Sequence, residues 1–144
     1  KVVEIPPGPP VVDTMVASAW LGRRDSDRKQ RWSPSLTRAR WILPFTVVAE
    51  MRFGADVAGW GARRKSVLDQ LILRSGVVPP LGEVTDSYVE LRTWCVRTGH
   101  GLGAKDHEAD RWVAAVALAA RLPLATDDSI FDDLPMLDRV HPEP

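Results

Sequence analysis

One cysteine, one tyrosine, three histidines and a formal net charge of zero define what this 144-residue chain has little of. The lone Cys95 cannot close an internal disulfide, so packing must hold the fold, which suits a reducing compartment. So few histidines and cysteines supply no zinc ligand set. The 19 basic and 19 acidic residues cancel. That excludes a strongly cationic, non-specific nucleic-acid binder, although a basic patch can hide in a neutral total. No apolar run approaches the roughly 20 residues that cross a bilayer, and no basic-then-apolar leader opens the sequence. The expectation is a soluble, cytoplasmic protein without membrane contact.

Apolar residues make up 44% and charged residues 26% of the chain, ordinary globular values that argue against global disorder. Its length suits one domain with a substantial core. Residues 1–10 hold four prolines and a glycine and read as a tail or linker. The domain is expected over 11–141, with a short tail at 142–144.

The most informative stretch runs from Asp106 to Asp128. Val113, Val116, Ala117 and Ala120 recur at the spacing of an apolar helical stripe, with Arg111 and Arg121 off it. Asp110 stands three residues before Val113, so it projects from the face expected to be buried. A carboxylate there costs several kcal/mol, on the order of the usual penalty, unless a cation or donors meet it. A turn at Leu122-Pro123 leads to the short apolar run 122–126, which stops at Asp127-Asp128. One of that pair joins Asp110 at the edge of a core.

Elsewhere, Val11-Val12 reads as a buried strand ending at Asp13, followed by a helix over 14–21. Segment 22–33 is polar and basic, a solvated loop and helix face or a surface for phosphates. Residues 41–43 suggest a second strand. A helix over 45–59 follows, with Thr46 as N-cap and Glu50 on or beside its apolar stripe. A third helix is expected over 61–75, buried through Val67, Leu68, Leu71 and Ile72 and stopped by Gly76. Val77-Val78 forms a strand, 85–98 a helix, 99–105 a mobile glycine-rich loop, and 137–140 an edge strand. Short apolar strands separated by helices imply an α/β sandwich with a mainly parallel sheet.

Four acids then stand out: Asp13 and one of Asp127/Asp128 at strand ends, Glu50 and Asp110 on helices. Each has a plain alternative. Asp13 can cap its helix, Glu50 and Asp110 can pair with Arg52 or Arg111, and Asp127 and Asp128 can be turn residues. Converging carboxylates repel, so one takes up a proton or a cation settles among them. An all-oxygen set favours Mg²⁺ or Mn²⁺. Such a cation promotes phosphodiester hydrolysis.

Four blocks in order, Val11-Val12-Asp13-Thr14, Val48 to Ala55, Asp110 to Ala115, and Leu124 to Asp128 with Phe131, resemble the PIN-domain family. Within it they are most similar to the VapC toxins of bacterial toxin–antitoxin pairs. The resemblance implies a three-layer α/β/α fold and a Mg²⁺-dependent ribonuclease, with Mn²⁺ as a substitute. It also implies a homodimer restrained by a cognate antitoxin. Site residues carried over are Asp13, Glu50, Asp110 and Asp128, the last because the family pattern is threonine, any residue, aspartate. Thr14 and Thr126 would orient the carboxylates. Two departures are Met15, where a small polar residue is common, and Asp127, a fifth acid beside the site. Arginines from Arg23 to Arg31, or Arg63, Arg64 and Lys65, are candidates for holding RNA, with single-stranded or loop RNA the expected target. The rivals are a catalytically silent module that acts through protein binding, and an aspartate-nucleophile phosphatase. The second is excluded because Met15 stands where it needs another aspartate.

Overall fold

A computed structural model of the chain describes residues 2–3, 8–22 and 24–142. Its strands are β1 (Val2–Val3), β2 (Val11–Val12), β3 (Ile42–Pro44), β4 (Gly76–Val78), β5 (Leu124–Ala125) and β6 (Arg139–Val140). Its α-helices are α1 (Thr14–Ser18), α2 (Asp27–Leu36), α3 (Phe45–Val57), α4 (Ala62–Arg74), α5 (Glu83–Thr98) and α6 (Glu108–Ala120). The strands form one sheet in the order β1-β6-β5-β2-β3-β4, and every pairing is parallel. Helices cover the sheet as the three-layer α/β/α reading expects, because parallel strands buried on both faces require helical crossovers. The central strands show it: Val11, Val12, Leu124 and Ala125 are all fully buried.

Strand order decides where a ligand can sit. From β2 the chain builds outward to β3 and β4, then returns to the other side of β2 with β5 and β6. The order therefore reverses between β2 and β5. In open α/β sheets the crevice beyond the carboxyl ends of strands at such a switch point is where ligands bind. Residues following β2 and β5 open onto it.

Several local expectations are corrected. Within the stretch read as a tail, Val2–Val3 pairs with β6; residues 1, 4–7, 143 and 144 lie outside the described residues. β6 is therefore not an edge, because β1 covers it. Segment 22–33 is less wet than its charges suggest: Ser26 caps α2 by accepting the Lys29 N–H at 3.1 Å, and Trp32 and Leu36, one turn apart, are buried. Thr46 does not cap α3. Pro44 ends β3 with φ −58°, already suited to helix entry and without an N–H to satisfy, so the helix starts at Phe45. Gly76 is not a helix stop but the first residue of β4; a Cβ there would lie 2.9 Å from Ile42 Cδ1, so glycine lets the two strands approach.

The glycine-rich stretch 99–105 is built of short helical turns. Gly99 ends α5 in the left-handed region at φ 74°, a short 3-10 turn follows, and Leu102 is fully buried. Arg111, expected on the wet face of α6, is 1% exposed. Its Nη1 donates to the carbonyls of Leu102 and Ala104, at 3.0 and 2.5 Å, and its Nε to the Tyr88 hydroxyl at 3.2 Å. A buried guanidinium is tolerated when its donors are met. Here it ties the loop to α6 and to α5, which packs along α6. α6 then ends at Arg121, in the left-handed region at φ 55°, and Pro123 stops any continuation before β5.

Candidate active site

β2 and β5 pair in register, Val11 with Leu124 and Val12 with Ala125. The next residue on each strand is then Asp13 and Thr126, side by side at the switch point. Asp13 is 7% exposed. Its Oδ1 accepts the Thr14 N–H at 2.7 Å, and its Oδ2 accepts the Thr126 hydroxyl at 2.8 Å. Asp13 is thus a helix cap as well as a member of the acid group. Burial holds its pKa above the ordinary aspartate value, opposed by the hydrogen bonds from Thr126 and Thr14 and reinforced by the charges of Asp110 and Asp128.

Glu50 reaches the same crevice from α3. It is largely exposed, yet its pKa is also raised, first by partial burial and then by repulsion from Asp13 and Asp110. The Thr14 hydroxyl pulls weakly the other way without a hydrogen bond of ordinary geometry. Asp110 opens α6 and is half-buried; its Oδ2 meets His107 Nδ1 at 2.9 Å. Asp128 follows β5, with its N–H donated to Thr126 Oγ1 at 3.1 Å and its Oδ1 accepting the Ile130 N–H at 2.9 Å. The four acids are thus close enough to feel one another's charge. Neither Glu50 with Arg52 nor Asp110 with Arg111 forms an ion pair: Arg52 pairs with Asp69 at 3.2 Å, and Arg111 meets only a hydroxyl and carbonyls.

Asp127 faces elsewhere. Arg28 Nε reaches its carboxylate at 2.8 Å, Arg31 Nη1 at 3.4 Å and Trp32 Nε1 at 3.2 Å. Burial alone would raise its pKa, but those hydrogen bonds and charges bring it below the ordinary value. It is a pin between β5 and α2, and it neutralises two arginines considered for RNA. Arg23 lies outside the described residues.

Local pattern gave no sign of three neighbours. His107 stands three residues before Asp110, a helical spacing that could have pointed to it. Thr46, one turn before Glu50 on the same face, has a buried hydroxyl without a partner, as does Thr14. Arg139, 8% exposed, donates from Nη2 to the Thr126 carbonyl at 3.1 Å and supports the site from behind.

All the candidate donors are hard oxygens, their mutual repulsion is uncompensated by any arginine or lysine contact, and two hydroxyls beside them are orphaned. In donor type and charge they fit a small divalent cation. As placed, Asp13, Asp110 and Asp128 are tied to protein partners, and no three acid, histidine or cysteine side chains among the described residues stand at coordination distance.

A parallel α/β/α domain with acids at its switch point is the class that fold and site define. The chain belongs to the PIN-domain family, whose model matches residues 11–136. The sequence finds no match among curated proteins. Solved structures with the same fold include VapBC2 of Rickettsia felis bound to a DNA fragment from its promoter, with TM-score 0.73, 20% identity, and coverage of 91% of this chain and 97% of the other. FitAcB of Neisseria gonorrhoeae is similar at TM-score 0.71 and 25% identity, covering 90% and 95%. A toxin–antitoxin complex from Klebsiella pneumoniae follows at TM-score 0.63 and 17% identity, covering 89% and 94%. The VapC-like resemblance therefore holds in family and fold. No helix among the described residues is long and apolar enough to cross a membrane.

Proposed function

We propose that this chain is a Mg²⁺-dependent endoribonuclease, with Mn²⁺ as substitute, and the toxin of a toxin–antitoxin pair. The observation that carries the chemistry is the grouping of Asp13, Glu50, Asp110 and Asp128 around the sheet's switch point, where no arginine or lysine among the described residues pairs with them and His107 meets Asp110 alone. The toxin role is supported by the PIN match and by likeness to structures from toxin–antitoxin complexes. A cognate antitoxin, a homodimer and a cytoplasmic setting belong to the same proposal.

Asp13, Asp110 and Asp128 would hold the cation, with Glu50 as a direct or water-mediated ligand. When bound, Mg²⁺ supplies positive charge that polarises a phosphodiester and favours attack by water. Thr126 fixes the orientation of Asp13 through its hydroxyl and the turn into Asp128 through the Asp128 N–H. Burial and the charge of neighbouring acids raise the pKa of Asp13 and Glu50, so the protein by itself disfavours their charged forms. In-line attack by water breaks one P–O bond and leaves a phosphomonoester on one fragment and a hydroxyl on the other, with no cyclic phosphate.

The test is to incubate partner-free protein with a structured RNA pool in Mg²⁺, in EDTA, and as Asp13→Asn. The proposal expects cutting in Mg²⁺ alone, with those product ends. A folded, partner-free protein that leaves every RNA intact would instead be a silent module that works through protein binding.

A further inference from the structure

A cavity of about 280 Å³ opens beside the acid group, lined by Leu21, Gly22, Glu50, Gly54, Trp60 and Arg64 among others. Glu50 lines the cavity and also belongs to the acid group, so the two meet at its carboxylate. At the other wall Arg64 is preorganised. Its guanidinium carbon lies 3.8 Å from the centroid of the Trp60 ring, and Nη2 donates to the Leu21 carbonyl at 3.4 Å. Stacking removes much of the side-chain freedom that binding would otherwise cost. The remaining guanidinium donors have no partner among the described residues.

Charge on this face is sorted. Lys65 pairs with Asp56 at 2.6 Å and Arg52 with Asp69 at 3.2 Å, so neither offers free charge. Arg64 has no acidic partner among the described residues, and neither does Arg63, which lines an adjoining hollow with Trp20 and Val67. The first turn of α4 contains no acid. A groove that begins at a carboxylate group and runs to two unneutralised guanidiniums suits a ligand with anionic groups along its length. At Gly54 a Cβ would meet no atom within 4 Å, so a chain can lie close over α3.

We propose that Arg64 is a phosphate-binding residue, seating the backbone of single-stranded RNA in the groove that starts at Glu50. This rests on the ribonuclease reading, and its test separates binding from cutting. Binding of a fluorescent single-stranded RNA oligonucleotide, kept intact by EDTA, is measured by anisotropy over a range of salt, beside kcat and KM on the same RNA in Mg²⁺. Arg64→Gln weakens binding by about tenfold or more, lowers the slope of log affinity against log salt by about 0.7, and raises KM more than it lowers kcat. Arg64→Lys recovers part of the affinity, since it keeps the charge but not the stacked fork. Gly54→Leu fills the groove and weakens binding without lowering Tm, because it replaces a glycine within a helix. Arg74→Gln, at the exposed far end of α4, binds as wild type. Folded Arg64→Gln and Gly54→Leu variants with wild-type affinity and salt slope would overturn the assignment and leave the groove to a protein partner. A wild-type protein that binds RNA through Arg64 but never cuts it would keep this site and remove the ribonuclease.

Discussion

The Thr126 hydroxyl donates to Asp13 Oδ2 at 2.8 Å, and both side chains are more than nine-tenths buried. The same oxygen accepts the Asp128 N–H, so one hydroxyl sets the position of two acids on neighbouring strands. Thr126→Val keeps the shape and removes both bonds. It should cost about 1–3 kcal/mol, several degrees of Tm in a chain of this length, and about 10- to 100-fold in cleavage. Thr126→Ser should restore most of both losses. Thermal melts and cleavage rates of the two variants check this; unchanged cleavage in a valine variant would remove Thr126 from the site.

Asp13 should trade stability for function in the metal-free protein. Its folded pKa is raised, chiefly by burial. The charged form is thus disfavoured in the fold, and stability is fully present below the unfolded pKa near 3.8 and falls as pH rises through the folded value. Asp13→Asn should accordingly raise Tm in EDTA at pH 7. The gain should shrink as the pH is lowered towards 4, while cleavage is lost at every pH. Melting curves across pH in EDTA read the effect directly. An asparagine variant less stable than wild type at pH 7 would contradict the electrostatic reading.

Asp127 and Asp128 are adjacent in sequence but should behave oppositely. Asp127 is pinned by Arg28, Arg31 and Trp32, and its pKa is lowered. Its contribution is present above the unfolded pKa near 3.8 and is lost as pH falls through the folded value. Asp127→Asn should lower Tm at neutral pH by an amount that disappears in acid, and should leave much of the cleavage rate. Asp128→Asn should abolish cleavage at little cost in stability. Equal loss of cleavage in both variants would show that Asp127 also serves the site.

Arg111 should be the most costly surface-looking charge to remove. Arg111→Met leaves the Leu102 carbonyl without its donor, while the Ala104 carbonyl keeps the His107 N–H and the Tyr88 hydroxyl keeps Arg92, a loss of about 1–3 kcal/mol for the one carbonyl left unmet. The loop over 99–105 should then exchange its amide hydrogens faster and be cut more readily by proteases. Unaltered exchange there would mean that the fully buried Leu102 holds the loop alone.

These contrasts separate what a linear pattern can carry from what it cannot. The strand ends at Asp13 and at the Asp127-Asp128 pair were legible because Val11-Val12 and Leu124-Ala125 are short apolar runs that stop near acid, whereas the choice of Asp128 over Asp127 came from the family's pattern; parallel pairing then sets Asp13 beside Thr126, two residues before Asp128. Glu50 and Asp110 were legible through helical period, although Asp110 is only half-buried. Arg111 was not, because a charge off the apolar stripe reads as wet until α5 and the loop over 99–105 fold against it. Nor was the Asp127 pin, which joins residues almost a hundred positions apart. Val2–Val3 was hidden among prolines, and its pairing with β6 depends on a strand at the far end of the chain.

The central claim is that four carboxylates at the switch point form one divalent-cation site. Mn²⁺ binding, followed by electron paramagnetic resonance of the free ion, tests it on wild type and on Asp13→Asn, Glu50→Gln, Asp110→Asn and Asp128→Asn, with Asp127→Asn as control. Binding should be lost or weakened at least tenfold in the Asp13, Asp110 and Asp128 variants, be reduced in the Glu50 variant, and persist in the Asp127 variant. Wild-type protein that binds no Mn²⁺, or single variants that bind it as wild type does, would contradict the account.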